Sequence, residues 1–331
     1  MSGTPEYSIV IPVFNESESL DALFARLGPV MDAFDGPVEV VLVDDGSTDN
    51  SVDMMLTMRE RDPRYRVVRL SRNFGHQIAI TAGLDHTRGR AVIVMDADLQ
   101  DPPEVTLDLA KKWREGYDVV YAIRDDRAGD SKTKVTTARW FYRVLNRLSE
   151  VPVPNDAGDF RLVDRRALDS VLSMREHRRY LRGMVAWVGY EQTGVHYARE
   201  PRHAGTTKYP LRKMLRFASD GIVSFSTVPL RIALNVGFIV SVVSFLIGFA
   251  TIALKVVGVD DLIPGWASIV VAVTFFSGVQ LTMLGVMGEY IARIHEEVKQ
   301  RPLYIVRDVW DEPSRVLDHD DVASPLRGQV R

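Results

Sequence analysis

Two aspartates flank an alanine in Asp96-Ala97-Asp98, directly after the apolar run Val92-Ile93-Val94-Met95. A buried strand of that kind delivers both carboxylates to one edge of a sheet. Hard cations such as Mg²⁺ or Mn²⁺ take oxygen ligands and commonly share one or two carboxylates with substrate phosphates. A metal-bridged diphosphate is the occupant this chemistry suits, and Gln100 adds a further oxygen close by. The plainer alternative is a turn and helix cap ahead of Pro102-Pro103. A second acidic cluster, Asp44-Asp45-Gly46-Ser47, follows the run Val38 to Val43. Its carboxylates can accept hydrogen bonds from a nucleobase or a ribose hydroxyl, and its glycine permits a tight turn; an N-cap turn is the competing reading. Ser71-Arg72-Asn73-Phe74-Gly75-His76 follows a third run, Arg66 to Leu70, and can bring Arg72 to a nucleotide. His76 is given no role. The basic residues Arg124, Lys132, Lys134, Arg161, Arg202 and Lys208 fall in predicted loops or helix starts of the second half, where guanidinium and ammonium groups could bind phosphate by charge-assisted hydrogen bonds. Nothing matches a P-loop, a zinc-protease helix or a nucleophile elbow.

The elements that position these clusters share one pattern. Tyr7 to Phe14 is a β-branched run ending at Asn15, a predicted N-cap, with Glu16 opening the next helix. The strand, turn, helix order returns at Val38, Arg66 and Ala91. Short buried strands alternating with helices predict an α/β domain with a mostly parallel sheet covered on both faces. Ligands of such sheets bind beyond the carboxyl ends of the strands, where every acidic cluster sits. After about Asp101 the pattern loosens into a basic helical stretch, Lys132 to Arg147, and a loop from Pro152 to Asp159, read as the acceptor side.

The 331 residues are 46% hydrophobic and 26% charged with a net charge of -3, which argues against nucleic-acid binding by the whole protein. The absence of cysteine excludes disulfides, thiolate metal sites and a cysteine nucleophile. No signal-peptide pattern is read in the first fifteen residues. Apolar residues concentrate in Ile232 to Leu254 and Trp266 to Met287, each long enough for a hydrocarbon core of about 30 Å, which takes roughly 20 helical residues. Arg212, Lys213, Arg216 and Arg231 precede the pair and Arg293, Lys299 and Arg301 follow it. Basic flanks stay in the cytosol, so both termini are expected there. Gly237, Ser241, Ser244 and Gly248 recur on one face of the first span, suited to close helix approach. The expected organisation is a catalytic domain over 1–210, an amphipathic interfacial segment over 211–231, two transmembrane helices within 232–291 and a cytosolic tail over 292–331.

In this order the motifs resemble the polyprenyl-phosphate glycosyltransferases, the group that includes dolichol-phosphate mannose synthases and bacterial enzymes glucosylating undecaprenyl phosphate. The resemblance covers roughly Tyr7 to Tyr304. It is carried by Ile11-Pro12-Val13-Phe14-Asn15-Glu16, Val43-Asp44-Asp45-Gly46-Ser47, Ser71 to His76, Asp96 to Pro103, Gly158-Asp159-Phe160-Arg161-Leu162, and Arg202 with Gly205-Thr206-Thr207-Lys208-Tyr209. It implies a GT-A fold, inversion at the sugar, and a multi-pass protein of the inner (plasma) membrane that forms homo-oligomers. It implies further that Pro12, Phe14, Glu16, Val43, Asp45 and Ala97, with Arg72, line the nucleotide-sugar pocket, and that Asp96, Asp98 and Gln100 hold Mg²⁺ or Mn²⁺. Arg124, Lys132 or Lys134, Arg202 and Lys208 would hold phosphates of the donor and of the polyprenyl-phosphate acceptor. Processive relatives carry Gln-x-x-Arg-Trp; here Thr136-Thr137-Ala138-Arg139-Trp140 lacks the glutamine and comes early, which speaks against a polymerase.

A phosphate monoester has its second pKa at about 6 and arrives largely ionised, so the expected reaction is one in-line displacement without a covalent intermediate. Asp159 is the candidate to position the acceptor or stabilise the transition state, with Asp156 in reserve. The donor is expected to be a UDP-sugar, with GDP-mannose as the other possibility. Two competing readings are a nucleotidyltransferase, which has no need of membrane spans, and a membrane scaffold that binds a nucleotide sugar without turnover.

Overall fold

The computed structural model describes residues 4–125, 157–198, 228–257 and 265–311. In chain order these form β1 (Tyr7–Val13), α1 (Leu20–Asp32), β2 (Val38–Asp44), α2 (Ser51–Arg61), β3 (Tyr65–Leu70), α3 (His76–Asp85), β4 (Ala91–Val94), α4 (Val105–Arg114), β5 (Val119–Arg124), β6 (Ala157–Asp164), α5 (Arg165–Ser173), α6 (Leu181–Trp187), β7 (Gln192–Tyr197), α7 (Val228–Val256), α8 (Trp266–Val298) and β8 (Val306–Trp310).

All eight strands join one sheet, ordered β7-β5-β6-β4-β1-β2-β3-β8. The pairs β1/β2, β1/β4, β2/β3 and β5/β7 are parallel, whereas β6 runs against β4 and β5, and β8 against β3. Every residue of β1, β2 and β4 is buried, as expected of central strands covered on both faces. Successive side chains point to opposite faces. Ile9, Ile11 and Val13 join a core with Leu20, Leu23 and Leu27 of α1, Met55 of α2 and Leu109 of α4. Val10 and Val43 meet α3 at Gly83, on the other face. The apolar positions of α1 (Leu20, Leu23, Phe24, Leu27, Val30, Met31) recur at helical spacing, so the helix follows from its buried stripe.

Two boundaries differ from the sequence reading. Helix α1 starts at Leu20 behind Ser19, not at Glu16. Asn15 has a left-handed φ of 55° and its Oδ1 accepts from the Thr48 N–H at 2.8 Å, so it closes a turn against the loop after β2 and caps no helix. Asp159 lies within strand β6 and not in a loop. The chain divides into an α/β unit that includes Pro302–Arg331 and a second unit that includes Leu211–Arg301. Residues Val306–Trp310, read from sequence as part of a tail, are the eighth strand of the sheet. In the second unit, α7 and α8 each contain a stretch long and apolar enough to cross a membrane, Ala233–Ala250 and Val271–Val298. Their large apolar side chains, Phe238, Phe245, Phe249 and Phe275 among them, are exposed. The small residue Gly237 brings α7 close to Met283 of α8, as its position on the predicted small-residue face suggests.

Candidate active site

The turns after β1, β2, β3 and β4 all open at the carboxyl edge of the sheet, and the first three are bonded to one another. Asn15 N–H donates to Ser47 Oγ (3.0 Å), Glu16 N–H to Ser51 Oγ (3.0 Å), and Ser47 N–H to Asp44 Oδ1 (2.9 Å). Asp45 accepts from the backbone N–H groups of Phe74 (2.7 Å) and Gly75 (2.9 Å), tying the second turn to the third. Between them Gly46 has a φ of 76°, and a Cβ there would lie 2.7 Å from the Arg72 carbonyl carbon, so only glycine serves. Burial raises the Asp45 pKa, and the two N–H bonds offset this only in part.

The fourth turn meets β6. Antiparallel register pairs Val94 with Arg161; continued two residues, it sets Asp96 opposite Asp159. His76, the first residue of α3, completes the group: its Nε2 is 3.4 Å from Asp96 Oδ1 and 3.8 Å from Asp159 Oδ2. These are electrostatic neighbours and not well-formed hydrogen bonds, since Asp96 Oδ1 is buried without a hydrogen-bond partner. Burial, opposed by His76 and assisted by Asp159, Asp101 and Asp98, pushes the Asp96 pKa up to about 6. Asp159 is the opposite case. Burial would raise its pKa, but His76, then Arg182 and Arg161, outweigh that and hold the carboxyl well below its usual range. Arg182 donates from Nε to Oδ1 (3.0 Å) and from Nη2 to Oδ2 (3.1 Å), and Gln77 Nε2 donates to Oδ2 (3.1 Å).

The remaining predicted residues divide. Asp98 accepts from the Gln100 N–H at 3.1 Å across Leu99, which has a φ of 58°. Ala97 is buried at the same turn. Phe14 is 46% exposed, Glu16 is half-buried, and the exposed Arg72 lies 4.0 Å over the Phe74 ring. Pro12 and Val43 are adjacent in register and buried, so their side chains belong to the core under the turns. Arg161 is only 3% exposed and bonds Gly158 O (2.9 Å) and Asp159 Oδ1 (3.3 Å), so its guanidinium is taken up inside the chain. Arg124 donates to the Tyr197 hydroxyl (3.1 Å) and lies 3.4 Å from the buried Asp101, which also accepts from Tyr197. Lys132, Lys134, Arg202, Lys208 and Asp156 lie outside the described residues.

Among the described residues no three His, Cys, Asp or Glu side chains converge as a ready-made metal cage. The orphaned Asp96 Oδ1 nonetheless fits a hard cation that draws its other ligands from a diphosphate and water. His76, Gln77, Arg182 and Tyr197 were not picked out from the sequence. His76 carried a signal, a polar residue opening a helix at a strand's carboxyl end. Arg182 carried none, because only the folding of α6 against β6 brings it to Asp159.

Residues 8–172 match the glycosyl transferase family 2 domain. An uncharacterized glycosyltransferase of Bacillus subtilis is 46% identical over 97% of this chain and 99% of its own length. The SfII prophage-derived bactoprenol glucosyl transferase of Shigella flexneri is 39% identical over 91% of this chain and 97% of its own. Among solved structures, glucosyl-3-phosphoglycerate synthase from Mycobacterium tuberculosis is similar at 20% identity over 66% of this chain and 79% of that one, with a TM-score of 0.46. A likeness that runs almost from end to end in relatives so named cannot come from one shared module: the chain belongs to glycosyl transferase family 2, is a glycosyltransferase, and its α/β unit has the GT-A fold.

Proposed function

We propose that this glycosyltransferase moves a hexose, glucose foremost, from a nucleoside-diphosphate sugar to the phosphate of a polyprenol in the membrane, with inversion. The observation that carries this reading is the union in one chain of a carboxylate-lined strand edge with two helices apolar enough to cross a bilayer. The names of the relatives that cover 91% of this chain supply the sugar and the lipid class. The turns of Phe14, Glu16, Asp45 and Arg72 bind the nucleotide. Asp96 and Asp98, with Gln100 beside them, would hold a divalent cation, which when bound neutralises charge on the departing diphosphate. Arg124, Lys132 or Lys134, Arg202 and Lys208 hold the phosphates of the donor and of the attacking acceptor. That nucleophile is already ionised at neutral pH, so no side chain has to remove a proton. A carboxylate saturated with donors, as Asp159 is, suits such a reaction: it contributes fixed charge and geometry. Basic flanks of the two spans put the catalytic unit on the cytosolic face.

The test is incubation of detergent-purified protein with Mn²⁺ or Mg²⁺, radiolabelled UDP-glucose or GDP-mannose, and polyprenyl phosphate, followed by extraction into organic solvent. Label is expected in the lipid phase from UDP-glucose, lost on chelation and reduced about a hundredfold or more by Asp96→Asn. Folded, nucleotide-binding protein that labels no lipid from any donor would instead be a binding scaffold.

A further inference from the structure

We propose that Arg182 is a positioning residue of the transfer reaction: its guanidinium fixes the Asp159 carboxylate, and with it the His76 ring, opposite Asp96. The inference rests on reading the Asp96–Asp159 edge as the transfer site. Its basis is geometric. Arg182 approaches Asp159 with two parallel N–H bonds, at 3.0 and 3.1 Å, an arrangement that sets the plane of the carboxylate as well as its place. Gln77 donates to the same carboxylate at 3.1 Å while its own Oε1 accepts from the Leu181 N–H at 3.3 Å. The first residues of α3 and of α6 are thus joined through Asp159. Arg161 closes the far side at 3.3 Å, and the Asp159 side chain is left 11% exposed.

His76 is the most open member of this cluster, its side chain 46% exposed. It is flanked by the two carboxylates, so its place depends on where Asp159 is held. Helix α6 buries Leu181, Gly183, Met184 and Val185, while the Arg182 side chain stays 27% exposed with its guanidinium at the site. Losing the guanidinium should therefore spare the helix and release the carboxylate, which Arg161 and Gln77 would hold by single bonds.

The test is a double-mutant cycle on the full-length, detergent-solubilised protein with Arg182→Gln, Asp159→Asn and both together. The readouts are kcat, KM for the donor, UDP binding by calorimetry and the thermal midpoint. Each single change is expected to lower kcat about a hundredfold, the scale of a 1 Å misplacement. KM for the donor and UDP binding should stay near the wild-type values, and the double variant should be no slower than the slower single. Arg182→Lys should recover part of the loss, since one ammonium replaces one of two bonds. Wild-type kcat in Arg182→Gln, or losses that multiply in the double variant, would overturn the proposal. So would a fall in activity matched by equal losses of UDP binding and Tm in every variant, Arg182→Lys included. The product made by the wild type judges the transfer reading separately, and the cycle is read on whichever turnover of donor the wild type shows, lipid transfer or hydrolysis.

Discussion

Asp45 and Asp159 are both carboxylates at the same sheet edge, and their surroundings drive them in opposite directions. Asp45 meets neutral backbone donors, which do not offset its burial, so its pKa rises. Asp159 is buried too, but the imidazole of His76 and the guanidinium groups of Arg182 and Arg161 lower its pKa. A carboxyl depressed in the folded state stabilises that state above its unfolded pKa, about 3.9 for Asp, and the contribution disappears as pH falls toward the folded value. The Tm difference between wild type and Asp159→Asn should therefore be largest near neutral pH and shrink below about pH 4. An equal difference at pH 7 and pH 3.5 would show that Asp159 carries no such shift. Residue types at this edge were legible in the sequence because strand ends expose them. Their partners were not, since Arg182 reaches Asp159 across 23 positions and His76 reaches Asp96 across a strand crossover.

Strands and helices were the most legible level, because β1, β2 and β4 are predominantly apolar runs whose apolar positions need no partner to be recognised. Turn conformation was not. Asn15 reads as a cap by type, and its left-handed φ follows from bonds to Ser47 and Thr48 that lie more than thirty positions away. Helix α3 shows how an element's fit sets the site. Gly83 presses so closely on the sheet that a Cβ would fall 2.3 Å from Val10 Cγ1 and 2.9 Å from Val43 Cγ2. Gly83→Ala must push α3 outward or force those valines from their rotamers, at a cost of about 1–3 kcal/mol. A Tm lower by several degrees is expected, with kcat falling as well because α3 carries His76 and Gln77 at its first turn. Adding Val10→Ala should restore part of both. If Gly83→Ala left Tm and kcat unchanged, the close approach of α3 to the sheet would be wrong.

At the scale of the whole molecule, the α/β unit is not finished when the chain leaves it for the two apolar helices. The chain passes through the two apolar helices and rejoins the unit at Pro302, where β8 pairs with the edge of β3. Side chains strengthen this return: Arg59 Nε donates to Trp310 O at 3.2 Å, and two further contacts flank the strand. Tyr304 donates its hydroxyl to Asp85 Oδ2 at 2.7 Å, beside Arg175 at 2.8 Å on the same oxygen. Asp311 pairs with Arg88 at 2.6 Å and with Arg66, whose guanidinium is nearly buried and also bonds Glu39 at 2.9 Å. Removing one partner of a buried charge costs more than removing an exposed pair, because the remaining charge keeps its desolvation penalty. Tyr304→Phe is expected to cost about 1 kcal/mol, a typical net hydrogen bond, and Asp311→Ala about 2–3 kcal/mol, as for a bond to a charged group. The two share no partner, so the costs should add within about 0.5 kcal/mol. Thermal unfolding of the single and double variants checks this. A double variant as stable as the wild type would mean that the strand after the second apolar helix is held by its backbone pairing, the Arg59–Trp310 bond and the packing of Trp310 on the core; an additive loss would make Pro302–Asp311 part of the catalytic unit's stability, and a catalytic domain cut at residue 210 incomplete.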